Sequence, residues 1–151
     1  SSCFFVPFVV KNNFGHPLNK HHGRMIIATG IDIIEIGRFQ KTLERYDRLF
    51  LDHIFTPEEQ AAAPTNDRAR VTYFAARWAV KEAVSKVLGT GIGEHCAWTD
   101  ISVQRSPLGK PSVALTGKAA VTAKQLGISA IHVSISHEQH YACAVAIGES
   151  S

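Results

Sequence analysis

Three ionisable side chains sit where apolar ones are expected. The stretch FAARWAVKEAVSKVLGTGIG, residues 74–93, reads as a core helix, yet it carries Glu82 and Lys86 one turn apart. The stretch IATGIDIIEI, residues 27–36, puts Asp32 inside an Ile-rich strand. On a wheel of 100° per residue, Glu82 falls between Trp78 and Ala79, and Lys86 lies about 40° further round. The two are an i, i+4 pair on a helix that is apolar nearly all round, the pattern of a buried helix. A structural ion pair there would add only roughly 0.2–0.5 kcal/mol if exposed. Partial burial instead costs several kcal/mol per ion, so a functional reason carries equal weight.

Asp32 adds to that weight. Alternation puts it on one strand side with Ile26, Ala28, Ile34 and Ile36, where a carboxylate needs a counter-charge, hydrogen bonds or a cation. Asp32 and Glu82 together could hold a hard divalent ion such as Mg²⁺. That ion takes one or two carboxylates and fills its remaining positions with water and phosphate oxygens. Lys86 would then face the same phosphates as a point charge. The alternative for Asp32 alone is a satisfied buried acid or a strand-end cap.

Positioning these residues requires a strand over 25–36, a helix over 38–50 and a central helix over 70–88 ended by the glycines of GTGIG. Phe39, Leu43, Tyr46 and Phe50 form the expected apolar stripe of the first helix. Thr56-Pro57-Glu58-Glu59 is a capping-box start for a short helix that Pro64 ends. Strands are expected over 100–105 and 112–116 around the turn SPLGKP, then a helix over 118–126 capped by Gly127. Residues 130–137 and 141–147 read as a closing antiparallel hairpin. The order gives an α+β domain without regular βαβ alternation.

At 151 residues the chain suits one domain with a substantial core. Residues 1–24 hold Lys11, Lys20 and Arg24 and no acid, so the formal charge of +3 is local and the rest is neutral. Met25, the single methionine, is expected to be the natural start of a domain over 25–151. Residues 1–24 are then an N-terminal extension, a vector remnant or an upstream-start artefact. The apolar run CFFVPFVV is too short to span a bilayer and lacks a basic flank for a signal peptide. Cys3, Cys96 and Cys143 are widely spaced, which suggests neither a disulfide framework nor a CxxC metal site. A reducing, cytoplasmic setting fits.

GIDIIEIGRF (residues 30–39) and the helix of residues 74–93 closely resemble the two signature motifs of the holo-[acyl-carrier-protein] synthases, the short 4′-phosphopantetheinyl transferases. The turn Gly109-Lys110-Pro111 and the strand HVSISH, residues 132–137, are similar to two further family motifs. The four motifs fall in order, and the resemblance covers residues 25 to about 148. The resemblance implies the phosphopantetheinyl transferase fold, an antiparallel sheet packed on a long central helix. It also implies transfer of 4′-phosphopantetheine from coenzyme A to a serine of an apo acyl carrier protein, with release of adenosine 3′,5′-bisphosphate. Mg²⁺ would be held by Asp32, Glu82 and the coenzyme A diphosphate, with Lys86 at the phosphates. Arg77, about 140° round the helix from Glu82, would look toward the 3′-phosphate, and His132 toward the nucleotide. Lys110 and Pro111, after Gly109, would flank the adenine, although Leu108 stands where the family often has Asn. The serine proton would pass to Glu82 or to a metal-bound water ordered by Asp32.

Arg38, Lys41, Arg45 and Arg48 fall within roughly 80° of arc on the first helix. As a bare charge run this is a solvated face. The resemblance makes it the docking surface for the acidic carrier. Family members of this length are homotrimers, which implies an active site at the subunit interface. On that view His132 and the Gly-Lys-Pro turn act across the interface from Asp32 and Glu82.

A non-enzymatic interaction module would use the basic helix but leave Asp32, Glu82 and Lys86 without a purpose. A nucleic-acid binder is disfavoured by the neutral domain and the lack of an aromatic stacking motif. No membrane partner is expected. The carrier, for fatty acid or polyketide synthesis, stays open.

Overall fold

Asn66 begins the longest helix, α3 (Asp67–Val87), by accepting the Ala69 N–H on its side chain at 3.0 Å. The cap lies before the expected start, so the helix begins three residues earlier. The structure is a computed structural model and describes residues 23–151. The expected extension at residues 1–24 therefore lies almost wholly outside the described residues. Arg24 and Met25 reach the last strand region: Arg24 Nε lies 3.9 Å from Glu149 Oε1, and the Met25 N–H donates to Ser150 Oγ.

Three strands form an antiparallel sheet in the order β1 (Ile26–Glu35), β5 (Tyr141–Glu149), β4 (Ala130–His137). Asp32 pairs with Ala144 across β1 and β5. The inner face of β5 carries Ala142, Ala144 and Ala146, all buried, followed by Gly148. Against it α3 lays Ala75, Ala79 and Ala83, which are fully buried. Small residues on both sides let helix and sheet approach closely. Gly30 shows the limit: a Cβ there would collide with the Ala83 carbonyl oxygen and crowd Lys86 Cβ. That close approach sets Asp32, two residues on and on the same face, beside the α3 turn that carries Glu82 and Lys86.

A separate two-stranded hairpin, β2 (Ile101–Arg105) and β3 (Pro111–Leu115), packs beyond this sheet. The strands thus split into two sheets, and a cleft lined by Leu115, Ala123, Ile128 and Ile131 separates β3 from β4. Helix α4 (Gly117–Gln125) seals the end, followed by Gly127 at φ 72° as the expected cap. Gly89 and Gly91 also have positive φ and turn the chain after α3.

Helix α1 (Ile36–Ile54) runs longer at both ends than its sequence pattern suggests. Its buried stripe is Ile36, Phe39, Leu43, Leu51 and Ile54. Tyr46 was expected in that stripe but is 52 % exposed. The longer helix centres its stripe on Ile36 and Ile54, and Tyr46 lies about 80° from that line. The capping box at Thr56 forms as read and starts α2 (Pro57–Ala61). Its Glu59 is also buried and ion-paired to Lys81 of α3 at 2.8 Å.

Candidate active site

Two of the cavities that α3 lines lie on different parts of it and share no lining residue. The first, of about 510 Å³, is lined by Asp32 and Glu35 of β1, Arg38, Phe39 and Phe50 of α1, and Trp78, Glu82 and Lys86 of α3. The three residues singled out from sequence therefore meet in one place. Their pairing differs from the simple i, i+4 expectation. Lys86 Nζ donates to Asp32 Oδ1 at 3.0 Å and to the Ile31 carbonyl at 2.6 Å. Among the described residues Glu82 has no ion pair within 4 Å. Strand β1 offers the ammonium two acceptors side by side, and the close packing at Gly30 brings them within reach. Partial burial, and then the charge of Asp32, push the Glu82 carboxyl above the ordinary carboxylate range, while Lys86 acts in the opposite sense.

The donor set fits Mg²⁺ in a particular way. Asp32 and Glu82 face one cavity, and burial first, then the charge of Asp32, raises the Glu82 carboxyl. No group of three or more His, Cys, Asp or Glu among the described residues could hold a metal alone. An ion here would draw its remaining ligands from water and substrate oxygens, which is the habit of Mg²⁺ and unlike a closed zinc site.

The second cavity, of about 550 Å³, is lined by Arg68, Tyr73 and Arg77 of α3, Arg105 of β2, Pro111 of β3 and His137 of β4, among others. The Arg77 guanidinium carbon lies over the Tyr73 ring, 3.4 Å from its centroid. Tyr73 is held in turn by its hydroxyl, which donates to the Glu59 carbonyl at 2.7 Å. Arg77 is only 8 % exposed, burial lowers its pKa, and its Nε has no hydrogen-bond partner among the described residues. A buried guanidinium with an idle donor, beside two further arginines, is a site prepared for an anion.

The remaining sequence-selected residues are distributed as follows. In the turn before β3, Gly109 has φ 87° and its N–H donates to the Ser106 carbonyl at 2.8 Å. Of Gly109, Lys110 and Pro111, only Pro111 lines the second cavity. Leu108 is 98 % exposed. His132 lines neither cavity: its Nε2 sits 2.6 Å from Glu149 Oε2 on the outer face of the sheet. His137 lines the arginine cavity instead. Sequence reasoning passed over it, although the signal was available, because an odd separation from His132 puts it on the inward face with Ile135. Sequence reasoning also passed over Lys81, fully buried one residue before Glu82. Arg38, Lys41, Arg45 and Arg48 are all exposed along α1. Arg38 also lines the first cavity, and Arg48 Nε lies 3.6 Å from Asp52 Oδ2.

An acid pair with a lysine on one side of a helix and an arginine-lined cavity on the other are groups suited to handling phosphates. The chain belongs to the 4′-phosphopantetheinyl transferase superfamily, whose sequence profile matches residues 28–146. It is 42% identical over 126 residues to the holo-[acyl-carrier-protein] synthase of Desulfovibrio desulfuricans, covering 83% of this chain and 99% of that protein. Among solved structures it resembles the holo-[acyl-carrier-protein] synthase of Neisseria meningitidis, with TM-score 0.76 and 31% identity over 83% of this chain and 100% of that one. It also resembles the Bacillus anthracis str. Ames enzyme in complex with CoA (3′,5′-ADP), with TM-score 0.70 and 36% identity over 84% of this chain and 99% of that one. The α+β architecture, with its antiparallel sheet on the central helix, is that of these enzymes.

Proposed function

We propose that this chain transfers 4′-phosphopantetheine from coenzyme A to a serine of an apo acyl carrier protein, releasing adenosine 3′,5′-bisphosphate. The observation that carries this reading is the meeting of Asp32, Glu82 and Lys86 in one cavity at the root of a basic helix. Asp32 and Glu82 would hold Mg²⁺, which supplies charge neutralisation at the diphosphate when bound. Lys86 brings its ammonium to the phosphoryl oxygens as negative charge builds there. The serine proton passes to Glu82 or to a water ordered by Asp32. Arg77 takes the 3′-phosphate, and Gly109, Lys110 and Pro111 line the adenine.

Coenzyme A must reach both cavities, yet in one chain they lie apart. We therefore infer a homotrimer whose subunits complete one another's sites, with His132 and the Gly-Lys-Pro turn facing the Asp32 and Glu82 of a neighbour. The outer sheet face supports this: Ile31 is 67 % and Ile33 66 % exposed, beside Cys143 and Val145 of β5. A contiguous apolar face of this kind requires a cover. Residues 25–151 make the transferase domain, with residues 1–24 outside it. The work is cytoplasmic, in keeping with free Cys96 and Cys143, and no described helix is long and apolar enough to cross a membrane.

The carrier docks on Arg38, Lys41, Arg45 and Arg48. Such exposed charges act on encounter and orientation and weaken with salt. Arg38→Glu should raise the carrier KM about tenfold at low salt and leave the coenzyme A KM within about twofold. An unchanged carrier KM would remove the docking face. The whole reading is tested by incubating the protein with coenzyme A, Mg²⁺ and an apo carrier and weighing the carrier by mass spectrometry. A Mg²⁺-dependent phosphopantetheine adduct is expected. Carrier binding without an adduct would favour a pure interaction module.

A further inference from the structure

We propose that Lys86 is a stand-in cation: it neutralises Asp32 while the site is unloaded, and metal entry hands its ammonium over to the diphosphate. This rests on the function proposed above and adds a coupling between its two cations. The ammonium already sits on the carboxylate a metal would use, with Nζ 3.0 Å from Asp32 Oδ1. A divalent ion such as Mg²⁺ binds a carboxylate oxygen at about 2.0–2.1 Å. An ammonium and a dication sharing one carboxylate repel at that range, so the two compete for Asp32.

Lys86 is built to be the one that leaves. Its side chain is 30 % exposed, against 19 % for Asp32, and it ends a flexible four-carbon stem with three rotatable donors. Its other acceptor is the neighbouring Ile31 carbonyl at 2.6 Å. Phosphate oxygens in the cavity can replace both. Glu82 contributes no ion pair to hold the ammonium back among the described residues. Metal alone competes with Lys86 without giving it a new partner. Metal arriving with a diphosphate exchanges one set of partners for another. The two ligands then bind with positive coupling, and by reciprocity each strengthens the other. Without substrate Asp32 stays paired with Lys86 and the site is weak for metal.

The test measures Mn²⁺ binding by the full-length protein by electron paramagnetic resonance, with and without coenzyme A, for wild type, Lys86→Met, Lys86→Gln, Arg38→Gln and Asp32→Asn. Native circular dichroism of each protein comes first. Without coenzyme A, Lys86→Met and Lys86→Gln should bind Mn²⁺ about tenfold tighter than wild type. Coenzyme A should then improve their Mn²⁺ affinity by a smaller factor than it does for wild type. Arg38→Gln removes a cation from the same cavity that does not occupy Asp32, and should shift Mn²⁺ affinity by less than about twofold. Asp32→Asn should abolish the binding. Lys86 variants that bind Mn²⁺ no tighter than wild type would overturn the exchange, as would an equal tightening in Arg38→Gln, which would mean a general field effect. Absence of Mn²⁺ binding in every folded variant, even with coenzyme A, would instead remove the metal reading and the exchange with it.

Discussion

Glu82→Gln should lower kcat for phosphopantetheine transfer by on the order of 10²–10³-fold while leaving the metal-free protein at least as stable as wild type. The activity loss follows from geometry: Glu82 and Asp32 both line the cavity that also holds Lys86, and an amide is a poor ligand for a hard cation. The stability half follows from the raised Glu82 pKa, caused by burial and then by Asp32. An acid with a raised folded pKa binds more protons folded than unfolded. The metal-free protein therefore loses stability as pH rises from the ordinary carboxylate range through the elevated value. A neutral amide removes that loss, so the metal-free Tm near pH 7.5 should hold or rise. Single-turnover kinetics and calorimetry check the two halves. A variant that loses activity and Tm together would make Glu82 a structural residue.

Lys81→Met should have the largest effect on folding, a loss of about 3–5 kcal/mol. The ammonium is fully buried and has four acceptors for three hydrogens: the carbonyls of Ile54 at 2.9 Å, Trp98 at 3.0 Å and Ile101 at 2.6 Å, and Glu59 Oε2 at 2.8 Å. One side chain thus ties α3 to the end of α1, to α2 and to the start of β2. Glu59 has two further donors, the N–H groups of Thr56 at 2.9 Å and Val103 at 3.1 Å. Losing the ammonium strands a buried carboxylate and three carbonyls. The double variant Lys81→Met with Glu59→Gln should regain part of the loss, because no unpaired charge remains. Urea unfolding at one fixed protein concentration measures both, since assembly would make stability concentration-dependent. A loss under about 1 kcal/mol in the single variant would contradict the network's role.

Much of this site was legible because chemistry and periodicity conflicted in the same stretches. Asp32 on an apolar strand face and Glu82 with Lys86 on an apolar helix stand out against a clear pattern, and the structure brings all three to one cavity. Element types were legible for the same reason, since the Thr56 capping box and the hairpin of β4 and β5 carry strong local signals. What stayed hidden depends on long-range partners. Lys81 lies on the same helix as Glu82, but the acceptors that permit its burial come from residues 17 to 27 positions away, so no local pattern marks it. Lys86 was matched to Glu82 by spacing, whereas strand β1 offers it Asp32 and a carbonyl. Tyr46 fits a stripe that ends at Phe50 but not one continued to Ile54. His132 and His137 belong to one motif, and only strand alternation separates the outward ring from the cavity-facing one.

The most direct measurement is a crystal structure of the protein with coenzyme A and Mn²⁺, read at the manganese absorption edge. Mn²⁺ is a close substitute for Mg²⁺ at oxygen ligands. One anomalous peak should lie within bonding distance of a carboxylate oxygen of Asp32, one of Glu82 and the diphosphate, with Lys86 Nζ turned from Asp32 to a phosphate oxygen. A diphosphate bound without such a peak, or a peak touching only one of the two acids, would contradict the account.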